Sequence, residues 1–426
     1  MTKEPFMSSL RNKIVENDYD PNSMPVDRAR TLIRRFLQPI PSSERLPVRA
    51  SLGRILAEDV VSPMAVPGHD NSAMDGYALC HADLAVGGET VLQQIGESYA
   101  GHPHAGELRA GQCVRIFTGA VMPAGADTVV MQEQVRVDAA GVHVPPGLRA
   151  GQNRRRAGDD IQPGAKVFAA GQLVRPAELG MLASLGLVEV QVKRRLRVAC
   201  FSTGDELCPV GYPLASGQIY DSNRYTLYGM LTRLNCEVLD LGVVPDRPEL
   251  LEVALASAAQ SADVVITTGG VSVGDADYVK EVLDRLGEVL FWKIAMKPGR
   301  PLAYGRVGGA HFFGLPGNPV AVMVSFYEFV REALLVLQGQ HPVPPLPTFR
   351  VPCTSPIKKT PGRTEFQRGV LEPAAQGGWT VRVTGDQSSG ILSSMSLANC
   401  FIVLPVEQGN VAPGALVEVK LLDALV

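Results

Sequence analysis

The chain has 426 residues, 46% hydrophobic and 19% charged, which suffices for a sizeable buried core spread over roughly two to four domains. A formal net charge of −3 excludes the broad basic face of a nucleic-acid binder but leaves room for a small anion held by a few local cations. Seven cysteines without a C-x-x-C pair argue for reduced thiols in a cytoplasm rather than a disulfide framework or zinc site, and no run of about 18 apolar residues is present to span a membrane.

The first 24 residues are polar, contain acids and read as a frayed leader rather than a signal peptide. A helix is predicted from Val26 to Ile40, where Ala29, Leu32, Ile33, Phe36 and Leu37 recur at helical spacing before Pro39 and Pro41. From Leu46 to Val192 short β-like runs alternate with glycine and proline, and a short helix is expected near Ala177–Gly186. A boundary falls near Lys193–Arg195. Strands and helices then alternate: LRVACFS, NRYTLYGMLTRL, CEVLDLGVV, a helix from Asp246, DVVITTGG, and DYVKEVLDRLG ending at Gly287. Asp246 and Glu249 have capping-box spacing, with Pro248 in the first turn. Then come VLFWKIAMK, PLAYGRV, HFFGLPGNP and a long last helix. Buried strands alternating with helices predict a three-layer α/β domain with a parallel sheet. After the proline-rich HPVPPLPT, alternating segments predict a small β-barrel or sandwich. The expected organisation is multidomain α/β plus β. Leader 1–24 precedes a helical and extended domain (25–62 with 155–195), into which a β-rich domain (63–154) is inserted; an α/β domain (196–340) and a C-terminal barrel (346–426) follow.

Four clusters could carry chemistry. Strand VVIT runs into Thr267, Thr268, Gly269, Gly270, Val271, Ser272, Val273, Gly274, Asp275, Ala276 and Asp277 before a helix. Glycines there can fold into a nest of amide donors for phosphate, and two acids at the helix mouth suit Mg²⁺, although an ordinary βα turn with a capping Asp275 reads the same way. Ser202, Thr203, Gly204, Asp205 and Glu206 also follow a strand and suit phosphate and metal, or a capped turn. Lys293, Lys297, Pro298, Gly299, Arg300 and Pro301 place cations on a proline-stiffened loop, fit for an oxyanion or for solvated surface. Pro316, Gly317 and Asn318 then open a helix, with Asn318 a good N-cap. Asp70–Tyr77, with Asp75 beside Gly76, is too polar for a packed strand; Thr118 lies in a similar loop, and so does Asp160, which follows a triple arginine (Arg154, Arg155 and Arg156) that usually marks a solvated face. There is no nucleophile elbow, Walker loop or H-E-x-x-H, and the seven histidines read as non-catalytic.

In order along the chain, DNSAMDGYA, FTGAVMPAGADTVVMQE, STGDEL, GQIYDSNR, TTGGVSVGDADY, KPGRP, LPGNP and GRTEFQRG resemble the molybdopterin molybdenumtransferase family, called MoeA in bacteria, and the similar E domain of gephyrin. The resemblance runs from about Val26 to the end. It implies an elongated cytoplasmic homodimer that binds adenylylated molybdopterin and molybdate, uses Mg²⁺ and releases AMP with molybdenum cofactor. The adenylyltransferase of the same pathway is an expected partner. By motif position Asp75, Thr118, Asp160, Glu206, Asp246 and Asp277 match the functional polar residues of the family, with Glu206 and Asp277 near the metal. Ser202, Thr203, Gly269, Gly270, Ser272, Gly274, Pro316, Gly317 and Asn318 would bind the substrate, and Lys293, Lys297, Arg300, Arg368 and Ser389 molybdate. Arg300 stands where a lysine is common, and His69 where an aromatic or apolar residue is frequent. Rival readings are a tungstate-inserting paralogue, the related single-domain adenylyltransferase and a scaffold. The regions flanking the α/β domain weigh against the second, and the lack of a fused module against the third.

Overall fold

The computed structural model describes residues 23–270 and 278–422. They form two compact units: one of Arg45–Leu52 and Leu56–Gln191, the other of the described residues up to Glu44, Gly53–Ile55 and those from Val192 on.

The first unit is built on a six-stranded mixed sheet, in the order Thr128–Met131, Gly76–Leu79, Gln112–Ile116, Thr90–Ser98, Gly141–Val144 and Arg136–Asp138. Alternation along Gly76–Leu79 sends Tyr77 and Leu79 into one core with Leu92 and Val142, and Ala78 into another with Ile116 and Val129. Smaller two-stranded pairs, Asn71–Ser72 with Arg154–Arg155 and Val60–Val61 with Lys166–Phe168, complete the β-rich region. The expected short helix is present as Pro176–Ser184.

In the second unit a central sheet has strands β1 (Arg197–Thr203), β2 (Glu237–Val244), β3 (Val264–Thr268), β4 (Gly287–Lys293), β5 (Pro301–Val307) and β6 (Ala310–Leu315), ordered β2-β1-β3-β6-β5-β4. Helices α1 (Asn223–Arg233) and α4 (Pro319–Ser325) pack on one face with Val198, Cys200, Val264 and Ile266. Helices α2 (Pro248–Ser261) and α3 (Tyr278–Leu286) pack on the other with Ala199, Phe201 and Val265. The three layers are as expected, but the sheet is mixed rather than parallel. Strands β2, β1, β3 and β6 are parallel, whereas β5 is antiparallel to both β6 and β4. The reason is connection length: Gly308 and Gly309 join β5 to β6, and residues 294–300 join β4 to β5, both too short for a parallel crossover.

The N-terminal helix of this unit is Val26–Arg34, shorter than its apolar spacing suggests. Past it the chain tightens, with the amides of Phe36 and Leu37 donating three residues back to Ile33 and Arg34, while Leu37 and Ile40 still enter the core. The long last helix carries a π turn, Phe326–Val330, between α4 and α5 (Arg331–Leu337). Within that turn the buried Glu328 accepts from Arg30 and Lys420, each at 2.6 Å.

The C-terminal strands are β7 (Thr348–Pro352), β8 (Thr364–Pro373), β9 (Trp379–Val383), β10 (Cys400–Leu404) and β11 (Leu416–Leu421). Their ladder runs β8-β10-β11-β7, with β9 on the other edge of β8. A bridge from Cys353 to Val381 brings the end of β7 to β9 and closes the sheet around Val351, Leu371, Ile402 and Val419. A two-residue strand, Met296–Lys297, leaves the β4–β5 connection and pairs in parallel with Thr364 and Glu365 of β8. All seven cysteines are free, and no described helix is long and apolar enough to cross a membrane.

Candidate functional site

Strands β3 and β6 are parallel and in register, Thr268 opposite Leu315, so the loops that follow them emerge side by side. Gly269, Gly270, Pro316, Gly317 and Asn318 thereby line one cavity of about 540 Å³ with Lys297, Pro298, Gln387, Ser388 and Ser389. Open α/β sheets place ligands at this end of their strands. Gly269 and Gly270 have φ of +84° and +63°, and a Cβ on Gly269 would sit 2.3 Å from the carbonyl oxygen of Thr203. Only glycine lets the chain fold this tightly against β1.

Lys297 reaches the cavity from the Met296–Lys297 strand. Its Nζ lies 3.8 Å from the carboxylate of the buried Glu365, a distance at which the ion pair is loose. Asn318 takes the expected N-cap position of α4, but its side chain makes no capping bond: its Nδ2 donates to Ser389 Oγ at 3.0 Å instead. The amide of Val320 in turn donates to the Ser389 carbonyl at 3.1 Å, tying the 386–389 loop to the helix mouth. Arg368 does not line this cavity. Its buried guanidinium donates from Nε to Ser394 Oγ at 2.9 Å and from Nη2 to the carbonyls of Ser388 at 3.0 Å and Asp386 at 3.4 Å. It therefore reaches the cavity through the loop that it holds. Lys293 closes β4, where its carbonyl accepts the Met24 amide at 2.9 Å, and the exposed Arg300 gives its carbonyl to Ile294 at 2.6 Å; neither lines the cavity.

At the ends of β1 and β2 the chemistry is reversed. Ser202 Oγ and Thr268 Oγ1 are buried 2.8 Å apart. Thr203 Oγ1 donates to Asp246 at 3.4 Å, beside the exposed Asp205 and Glu206. Burial, then the charge of Asp205 and then that of Glu206, raise the Asp246 carboxyl above the usual range. The expected capping box does not form: Arg247 holds the N-cap position of α2, so Asp246 is directed instead to Thr203 and the other acids. Ser272, Gly274, Asp275 and Asp277 lie outside the described residues. Among the described residues no three His, Cys, Asp or Glu side chains are placed to hold a metal by themselves.

Sequence reasoning assigned no role to Asn223, Gln387 or Ser388. Asn223 starts α1, and its Nδ2 donates to the Gly317 carbonyl at 2.7 Å, while its buried Oδ1 has no partner among the described residues. Its motif GQIYDSNR was the available signal, but the contact spans 94 residues.

In the other unit Gly76 begins its strand where a Cβ would lie 1.8 Å from the Val130 carbonyl oxygen, which fixes Asp75 at the sheet rim. Asp75 Oδ1 accepts from the amide of Thr118 at 2.8 Å and its hydroxyl at 2.7 Å. The amide first, then the hydroxyl, hold this carboxyl below its usual range. Asp160 is exposed nearby in sequence to Arg154, which pairs with Asp70 instead of facing solvent as the arginine run suggested.

Three family models match the chain: the MoeA N-terminal region (domains I and II) over residues 24–186, a probable molybdopterin binding domain over 199–336, and the MoeA C-terminal region (domain IV) over 350–422. A molybdopterin molybdenumtransferase from Haemophilus influenzae is 46% identical over 397 residues, covering 93% of this chain and 98% of that protein. One from Nostoc is 36% identical over 376 residues, covering 86% and 85%. The crystal structure of a molybdopterin biosynthesis MoeA protein from Pyrococcus horikoshii superposes with a TM-score of 0.82 at 29% identity, covering 94% of this chain and all of that one.

Proposed function

Because the chain belongs to the MoeA family of molybdopterin molybdenumtransferases, we propose that it inserts molybdate into adenylylated molybdopterin and releases AMP. The observation that carries this reading is the electrostatic division of one sheet edge. Among the described residues no carboxylate lines the cavity of Gly269, Lys297 and Ser389, whereas Asp205, Glu206 and Asp246 gather at the neighbouring strand ends. The first place suits oxyanions, the second a cation.

In this reading the amides of Gly269 and Gly270 hold the substrate phosphates, with Ser202 and Thr203 beneath. Lys297 supplies a point charge and Ser389 a hydroxyl to molybdate, while Arg368 positions the loop that carries Ser389. Glu206 and Asp277 would hold Mg²⁺ together with the phosphates, since mutual repulsion among the acids is what a divalent cation relieves. When bound, Mg²⁺ neutralises the pyrophosphate bridge and makes AMP a better leaving group. The chain contributes proximity and fixed charge rather than a nucleophile. The active form is a cytoplasmic homodimer supplied with substrate by the adenylyltransferase of the pathway, and Asp75, Thr118 and Asp160 serve the same reaction.

The test is incubation with adenylylated molybdopterin, Mg²⁺ and either molybdate or tungstate, with AMP release and active cofactor measured. Glu206→Gln should keep its fold and lose cleavage, with the Mg²⁺ requirement shifted upward. No AMP from the unaltered enzyme refutes the reading, and normal cleavage by Glu206→Gln at low Mg²⁺ refutes the metal assignment.

A further inference from the structure

A second cavity, of about 440 Å³, is built largely by the loop that leads into β8, and Lys297 lines it as well as the first. Its walls carry four cations, Lys297, Lys358, Lys359 and Arg363, against one acid, Glu365. The balance is more positive than that ratio suggests. Glu365 is buried, accepts from Gln367 Nε2 at 2.9 Å and stands 3.8 Å from Lys297. Lys359 is also buried, but among the described residues its Nζ donates only to the backbone carbonyls of Gln408 at 2.9 Å and Val406 at 3.4 Å, so its charge is oriented without being neutralised. Lys358 and Arg363 are exposed and have no carboxylate within ion-pair distance among the described residues. The Lys359 amide donates to Asn410 Oδ1 at 2.9 Å, which pins the loop to the opposite wall.

The lining also says what does not bind. It has no aromatic side chain on which a pterin or an adenine could stack, and organic ligands favour apolar walls. A concave, cationic and otherwise polar wall suits a compact, partly hydrated anion with more than one charge.

We propose that this cavity is a second anion site, taking a tetrahedral dianion, and that Lys297 is the counter-charge shared between it and the first cavity. The proposal rests on the reading of the first cavity only for the last clause. A dianion here satisfies Lys358 and Arg363 and draws Lys297 from Glu365. A dianion in the first cavity draws Lys297 the other way, so the site acts as a staging post for the oxyanion substrate.

The experiment is calorimetric titration of the full chain with sodium molybdate at low ionic strength, without the pterin. Two molybdates per chain are expected. Lys358→Ser with Arg363→Ser removes exposed side chains, so melting should be unchanged, and it should abolish one binding event while leaving the other within about twofold. Ser389→Ala should do the converse, weakening the remaining event roughly tenfold. Lys297→Met should weaken both. Sulfate and phosphate run as competitors identify which dianion occupies the second site. A single molybdate per chain, unaffected by the Lys358→Ser and Arg363→Ser pair, overturns the proposal, as does the loss of both events in that variant. If instead both events keep their affinities in Ser389→Ala, the second site stands and the assignment of the first fails.

Discussion

Replacing Arg368 by alanine separates two ways in which a buried arginine can serve an anion site. The side chain is 1% exposed and donates to Ser394 Oγ and the Ser388 carbonyl at 2.9 and 3.0 Å. Each such charge-assisted bond is worth about 1.5–3 kcal/mol, and truncation leaves both acceptors short of a donor. Part of this is offset, because the cost of burying a cation disappears with it. Burial pushes the Arg368 pKa down to about 10, against the pull of Asp386, so the group is charged at neutral pH and the offset is real. A net loss of about 2–4 kcal/mol follows. Scanning calorimetry should show the unfolding of the unit that contains Arg368 moved down by several degrees. Molybdate titration should show at least a tenfold weakening, because the 386–389 loop loses its anchor. Adding Ser389→Ala to Arg368→Ala should then weaken molybdate binding little further. An Arg368→Ala protein that melts normally yet binds molybdate poorly would refute this reasoning and assign the guanidinium to direct contact.

Gly269→Ala should lower stability by more than about 2 kcal/mol and abolish AMP release, since φ is +84° and the new methyl meets the Thr203 carbonyl; a thermal melt and a turnover assay check it. Asp246→Asn should raise the melting temperature at pH 7 by less than about 3 °C while slowing turnover. The Asp246 carboxyl is raised in the folded state, so its ionisation costs stability as pH rises through the carboxylate range, and the gain should shrink as pH falls and vanish only below about pH 3, where both states are protonated. His143 is held above its usual pKa first by Glu89 and then by Asp138, at 2.8 and 3.0 Å. Its contribution is present below about pH 6.5 and lost as pH rises through the raised value, so His143→Gln should flatten the fall in urea midpoint between pH 6 and 8.

What was legible in the sequence follows a physical divide. The glycine loop after β3 was readable because a positive φ is a local demand of the backbone, met by Gly269 and Gly270 whatever surrounds them. Layering was readable because Val198 and Ala199 face opposite ways in any buried strand. The direction of β5 was not drawn from the pattern, although the two short connections that determine it are visible in the sequence as the lack of a helix after VLFWK. Side-chain partners were the least accessible. Asn318 and Asp246 each sit where a local rule makes a cap, and each turns instead to a distant partner, Ser389 and Thr203. Arg368 stands out in its motif, but nothing in GRTEFQRG says that its fork is spent on Ser394 and the 386–388 carbonyls rather than lining the cavity.

The pairing of Met296–Lys297 with Thr364–Glu365 has a mechanical consequence. The segment belongs by connection to the α/β sheet and by hydrogen bonding to the barrel, with the Thr364 amide also donating to the Ala295 carbonyl at 2.9 Å. Any torque on the barrel is therefore delivered as shear to the backbone of Lys297. The lysine is a lever whose fulcrum lies in one domain and whose handle lies in the other. A force applied at the barrel surface would therefore reach the backbone of Lys297 through this pairing.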